Sequence, residues 1–289
     1  MRSSIEGANR TVNRFEVFPS IHVGYTLPHE QKLTFAYSYR TNRPELFYME
    51  PYITYRDYYT AEIGNPDIRP EYIHSYELNY KKNIGEQVLQ SSLFYRSRKD
   101  KIERLRVPYE AGVTLDSMAN VGNDHALGME LSGQFIVNKW WNLNVNGNVY
   151  YYKVVNNINA GGKEETSTNY DITVNNLLRI CKNTRIQLDG NFVGPSVTTQ
   201  GRSDSFWFVN LAIRQQWFGS NLQSTLSFRD IFNSARYKND ITTPNLESVT
   251  HIRPKFPVIT LSISYTFNHF KRSSQNSRDN RDLFEGVNH

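Results

Sequence analysis

Long apolar runs are missing. None of the 289 residues sits in a stretch approaching about 18 consecutive apolar positions, and mean hydropathy is −0.60. A membrane-crossing helix is therefore excluded, whereas crossing strands, whose signal per segment is far weaker, are not. Cysteine is nearly absent: Cys181 stands alone in a predicted turn, which rules out an internal disulfide. No block of one charge sign appears either. The net charge of +5 comes from Lys and Arg mixed among Asp and Glu, too diffuse to imply nucleic acid as a partner. The seven histidines are scattered without metal-ligand spacing. No G-x-S-x-G elbow or glycine-rich phosphate loop occurs. Catalytic residues, metal ligands and cofactor-binding residues are therefore assigned to none of these positions.

What is present is alternation, clearest from Asp124 to Tyr152. Leu127, Met129, Leu131, Phe135 and Val137 share one face, opposite Gly128, Glu130, Ser132, Gln134 and Ile136. After a turn at Asn138-Lys139-Trp140, Trp141, Leu143, Val145, Val149 and Tyr151 oppose Asn142, Asn144, Asn146 and Asn148. Period two marks a strand with one apolar and one polar face. Each arm is longer than the about 5–6 residues usual for a soluble strand. Both reach the roughly 9–11 that a tilted strand needs to cross a bilayer. Four asparagines in register suit a watery lumen better than a packed core. The implied architecture is all-β: an antiparallel up-and-down transmembrane β-barrel, apolar side to lipid and polar side inward.

The same plan recurs along the chain. Further strands are expected within 15–27, 32–40, 72–81, 89–96, 170–180, 185–192, 207–213, 222–228 and 257–267, with Met1 to Glu6 as the tail of another, about twelve in all. Pro19 has to lie near a strand's start or at a bulge. Phe94 and the pair Asn176-Leu177 break the alternation. Connections alternate in length. Short ones fall at 28–31, 83–86, 138–140, 181–184 and 217–220; long ones at 7–14, 41–70, 98–123, 156–168, 194–204 and 230–252. Short periplasmic turns facing long extracellular loops are the asymmetry of an outer-membrane barrel. Trp140, Trp141, Trp217 and Phe218 fall on the short-turn side, as an interfacial belt would. The span 1–267 is read as barrel wall and 268–289 as a polar tail. Met1 to Glu6 carries no apolar signal core. An outer-membrane protein needs one, so the chain is expected to be part of a longer product.

Three stretches carry a family likeness. Gly64-Asn65-Pro66-Asp67-Ile68-Arg69-Pro70-Glu71 resembles the GNP-x-L-x-PE signature of TonB-dependent outer-membrane receptors, and Arg43-Pro44 resembles the entry to the same loop. Asp230-Ile231-Phe232-Asn233 resembles the D-x-FN segment before the last strand, and Tyr265-Thr266-Phe267 the aromatic closing strand. The likeness is nearest to the Bacteroidetes type. It implies that these strands belong to a roughly 22-stranded, plugged barrel, placed in the cell outer membrane and acting as a receptor and transporter rather than an enzyme. It also implies partners: outer-membrane lipid, the missing N-terminal strands and plug, the energy-transducing TonB complex through that part, and a surface lipoprotein. On the residues alone, three alternatives stay open. One is a self-closed twelve-stranded porin. Another is a phospholipase-like enzyme, needing a Ser and a His at matched depth on one outer wall. The last is a soluble β-rich binding protein.

The loop 41–70 supplies the candidate ligand site. Tyr52, Tyr55, Arg56, Tyr58 and Tyr59, with Phe47 and Tyr48 nearby, would grip a glycan, siderophore or peptide above the lumen; the competing role is packing of the loop on itself. Arg96, Arg98, Lys99, Lys101, Arg104 and Arg106 form a basic run that would bind anions or serve as a solvated extension above the membrane.

Overall fold

A computed structural model describes residues 15–157, 163–255 and 257–267. In chain order the strands begin with β1 (Ser20–Leu27), β2 (Gln31–Asn42), β3 (Thr54–Tyr55), β4 (Thr60–Ile63), β5 (Glu71–Ile84), β6 (Gln87–Glu110) and β7 (Val113–Asn138). There follow β8 (Trp141–Asn156), β9 (Lys163–Arg179), β10 (Thr184–Val193), β11 (Ser196–Val197), β12 (Gly201–Ser203) and β13 (Phe206–Trp217). The last are β14 (Leu222–Arg229), β15 (Tyr237–Thr243), β16 (Leu246–Ile252) and β17 (Val258–Tyr265).

One antiparallel wall runs β1-β2-β5-β6-β7-β8-β9-β10-β13-β14-β17. Each wall strand pairs with the next in sequence, which is the up-and-down order. These eleven match the expected strands in order; the twelfth, at Met1 to Glu6, lies outside the described residues. So do the connection 7–14, residues 158–162 of the connection 156–168, and the tail 268–289. The sheet is open: among the described residues β1 pairs only with β2, and β17 only with β14.

The wall has no apolar interior. Leu93, Leu127, Leu131, Val149, Tyr151 and Ile172 are all exposed on its outer side. In water each such side chain would forgo about 1.5–3 kcal/mol of burial; in hydrocarbon it loses nothing. On the inner side the asparagines find partners: Ser132 donates to Asn146 Oδ1 at 2.8 Å, and the Asn148 amide to Asp171 Oδ1 at 3.2 Å. The alternation breaks resolve locally. Phe94 turns inward, buried under the Arg96 guanidinium 4.4 Å from its ring centre. Asn176 lies opposite Leu143, and its Oδ1 accepts the Trp141 indole N–H at 3.1 Å. Pro19 precedes β1, and its carbonyl accepts Tyr39 N–H at 3.0 Å.

One expectation is corrected. Residues 98–123 are not a connection: β6 and β7 continue through them, with bulges at Arg98/Lys101 and Pro108/Glu110, to a tight turn at Ala111-Gly112. Gly112 has φ +78°, which favours glycine. Above the membrane both faces meet water, so pairing persists while the apolar alternation disappears. The connection expected at 156–168 is shorter, because β9 begins at Lys163. Those at 41–70, 194–204 and 230–252 carry short strands, β3 and β4 in the first and β11, β12, β15 and β16 in the other two. The last four form a separate small sheet.

Cys181 is exposed in the short turn between β9 and β10. The Thr184 hydroxyl and the Asn183 backbone stabilise its thiolate and lower its pKa. A membrane-impermeant maleimide should leave Cys181 untouched in intact cells and label it once the outer membrane is permeabilised. Tyr58→Cys in a Cys181→Ser background should label in intact cells. Labelling of Cys181 from outside would invert the topology.

Candidate functional site

The loop 41–70 is built onto the β6–β7 hairpin rather than hanging over it. Strand β4 pairs in parallel with β7, Thr60 opposite Thr114 through Ile63 opposite Ser117, and β3 pairs with β4. The GNP segment is the fastening. Gly64 N–H donates to Glu50 O at 2.9 Å, and a Cβ there would lie 2.3 Å from that oxygen, so only glycine fits. Asn65 donates from its backbone to Tyr48 O (2.7 Å) and from Nδ2 to Met118 O (3.1 Å), while Oδ1 accepts Asp67 N–H. Asn120 on β7 closes on Arg69 from both ends: Oδ1 accepts Arg69 N–H at 2.8 Å, and Nδ2 donates to Arg69 O at 2.9 Å. The same amide donates to Asp100 O at the bulge.

Glu71 ends the motif, and its side chain is 2% exposed. Oε2 accepts the Asn42 amide at 2.8 Å, and Oε1 accepts Ile102 N–H at 2.7 Å and Arg98 at 3.3 Å. One carboxylate thus joins β2, β5 and β6 where the wall meets the outer structures. The second motif works similarly. Asp230, 1% exposed, accepts the backbone N–H of Ser234 (3.0 Å) and Ala235 (2.9 Å), folding the segment after β14 back on itself.

The basic run proves to be mostly a set of ion pairs. Arg106 grips Asp116 with two parallel bonds of 2.6 and 2.8 Å, which raise the pKa of its guanidinium. Arg104 reaches Glu62 (3.0 Å) and Asp116 (3.5 Å). Arg98 and Lys101 face Asp124 at 3.6 and 3.5 Å. The reading as an extension above the membrane fits; its arginines are occupied by carboxylates. Across the mouth, the Gln200 side chain accepts Arg106 N–H at 2.9 Å and donates to Arg106 O at 3.0 Å, acting as a substitute strand residue. This ties the small sheet to β6 beside a cleft of about 1490 Å³ lined by Glu165, Thr166, Arg202 and Asp240.

The five candidate ligand residues do not converge. Tyr52 lines a small cleft of about 50 Å³ with Phe47, Tyr48, Glu62, Arg104 and Met118. Arg56 is committed to an ion pair with Glu62. Tyr55, Tyr58 and Tyr59 stand at the loop's outer end, with Tyr58 93% exposed. Glu62, Asp116, Asn120 and Gln200, which organise the region, carried no signal in the sequence; Glu71 was marked only by its motif. On the outer wall, the Ser and His that an esterase would need are adjacent, Ser97 between His74 and His125. Tyrosine hydroxyls occupy each Nδ1 instead.

Removing Glu71 takes a buried acceptor from the Asn42 amide, the Ile102 N–H and Arg98, and each buried donor left unsatisfied costs about 1–3 kcal/mol. Glu71→Ala should therefore raise protease cleavage of loop 41–70 by about 100-fold. Tyr58→Ala, at the exposed tip, should leave cleavage within about threefold of the parent. Equal cleavage in the two variants would contradict the fastening role.

The sequence model described as the outer membrane protein beta-barrel family matches residues 2–265. No curated protein matches the sequence. Among solved structures, the siderophore receptor PirA from Pseudomonas aeruginosa aligns with a TM-score of 0.56 at 14% identity, over 75% of this chain and 39% of that one. The ferric yersiniabactin uptake receptor FyuA from Yersinia pestis aligns with a TM-score of 0.55 at 15% identity, over 84% and 36%. The copper transporter OprC gives 0.57 at 11% identity, over 84% and 38%. The chain thus spans less than two fifths of the length of these structures, and the likeness is one of fold. It belongs to the outer membrane protein beta-barrel family, and its place is the cell outer membrane.

Proposed function

We propose that this outer-membrane chain is the C-terminal barrel portion of a TonB-dependent receptor of Bacteroidetes type, working as a transporter and not as an enzyme. In this reading 1–267 forms part of a roughly 22-stranded wall, and 268–289 is a polar tail. The observation that carries it is the open sheet, with β1 and β17 each paired on one side only among the described residues. In hydrocarbon each unpaired backbone group costs several kcal/mol, so both edges need strands beyond those described. The alignment with receptors of larger barrels supports the same reading. The missing strands, a plug, the TonB complex acting through them and a surface lipoprotein would be the partners.

The proposed ligand, a glycan, siderophore or peptide, would enter past Tyr52, Tyr55, Arg56, Tyr58 and Tyr59. Tyr52 lines the small cleft beside Arg104 and Glu62. The exposed Tyr58 and Tyr59 would make first contact.

Edge pairing tests the reading against a self-closed barrel. In a Cys181→Ser background, Val23→Cys on β1 and Leu261→Cys on β17 should form no disulfide with each other in the native membrane. Rapid, complete cross-linking of that pair would mean that the edges meet, and would contradict the larger barrel. A second test concerns uptake. Tyr52→Ala should lower uptake of the true ligand, found from a panel of labelled oligosaccharides, ferric siderophores and short peptides, by about tenfold. Unchanged uptake would remove Tyr52 from the site.

A further inference from the structure

On the hydrocarbon side of the wall, chemistry changes within one rung. Tyr37, Tyr76, Tyr95, Leu127 and Tyr151 lie opposite one another on β2, β5, β6, β7 and β8. Two residues further up on the same face the row reads Tyr39, His74, Ser97, His125, Lys153. Phe135 to His125 is ten residues, which at about 3.4 Å each and a tilt near 45° climb about 24 Å. That matches the apolar band of about 25 Å. The tyrosine row is therefore the outer aromatic belt, and the histidine row lies at headgroup level.

The row is organised, not scattered. The Tyr37 hydroxyl lies 3.1 Å from His74 Nδ1, and the Tyr39 ring stacks on that imidazole with centres 4.4 Å apart. The Tyr95 hydroxyl lies 3.0 Å from His125 Nδ1. With each hydroxyl as donor, the ring proton sits on Nε2, so both imidazoles offer an N–H away from the tyrosines. Lys99, exposed and opposite Tyr72, lies one rung above Ser97. Lys153 shares its ammonium with Glu164 at 2.7 Å, the carboxylate on this stretch of outer face; Glu16 accepts the Tyr72 hydroxyl. The inward-facing Arg96 and Arg98 are engaged by Glu77, Glu130, Glu71 and Asp124. They serve the lumen; the histidine row lies on the opposite face of the wall.

We propose that His74, Ser97 and His125, with Lys99 and Lys153, form a seat for the phosphorylated headgroup of an outer-leaflet lipid. The acyl chains would lie on the Tyr76, Tyr95 and Leu127 side below. Two imidazole N–H groups, a hydroxyl and two ammonium groups at adjacent positions match the oxygens of a phosphate ester, and the belt beneath fixes its height. This inference needs the outer-membrane location and not the receptor reading.

The test uses the protein purified from its own outer membrane in mild detergent, then exposed to vesicles containing either a phosphorylated glycolipid or its dephosphorylated form. Native mass spectrometry counts retained lipid. The parent should hold the phosphorylated lipid in preference. His74→Ala with His125→Ala should retain about tenfold less, and His74→Gln with His125→Gln, which keeps an N–H donor at each place, should recover most of it. His22→Ala, on the lumen side of β1, should behave as the parent. Heat-modifiable migration verifies that each variant is folded. Equal retention by the double-alanine variant, equal retention of the dephosphorylated lipid, or release of free fatty acid dependent on Ser97 would each overturn the seat.

Discussion

Every backbone N–H and C=O inside a bilayer needs a partner, because hydrocarbon supplies none. That constraint accounts for most of this chain. It makes each wall strand pair with its neighbours, as in the continuous registers of β1–β2, β2–β5, β5–β6 and β14–β17. It also removes the need for a packed core: among the described residues, Phe94 is buried in the wall, and Ile68, Ile73, Val121 and Val154 lie at or above the outer rim. Stability within the membrane is a property of the ladder, and the side chains sort by solvent. Leu131 goes outward, and its neighbour Ser132 inward to Asn146.

Above the rim water meets both faces, and different forces take over. The β6–β7 hairpin, the β3–β4 pair and the small sheet are held by polar contacts of long sequence separation: Asn120 on Arg69, Glu71 on Ile102 and Arg98, Gln200 on Arg106. The bonds to the Glu71 carboxylate are half-buried and contribute about 1.5–3 kcal/mol each, and the neutral ones from Asn120 and Gln200 about 0.5–1.5. These pairs hold the region that the proposed reading gives to the ligand. The arginines that looked like an anion site are the other halves of them.

The same division decides what could be read from sequence. Wall strands were legible because two solvents impose period two; Trp140, Trp141 and Trp217 were legible because the interface selects indoles. Residues 98–123 were misread for the same reason in reverse. With water on both sides, Glu103 and Arg104 sit in strands without alternating, and a paired hairpin looks like a loop. The motif at 64–71 marked the fastening of loop 41–70 but not its partners. Nothing in a single sequence says that Asn120, some fifty residues on, closes over Arg69. Of the candidate ligand residues, composition found the loop but not its geometry. Tyr52 turns into a cleft, Arg56 pairs with Glu62, and Tyr58 reaches solvent.

The central claim, that the two sides of the wall meet different solvents, is tested most directly by spin labels in the native membrane. Labels replacing Leu127, Met129 and Leu131 alternate with labels replacing Gly128, Glu130 and Ser132 along one strand. The account expects collision with molecular oxygen to dominate at the first set and collision with a water-soluble nickel chelate at the second, switching at every residue. Uniform chelate access at both sets would contradict it.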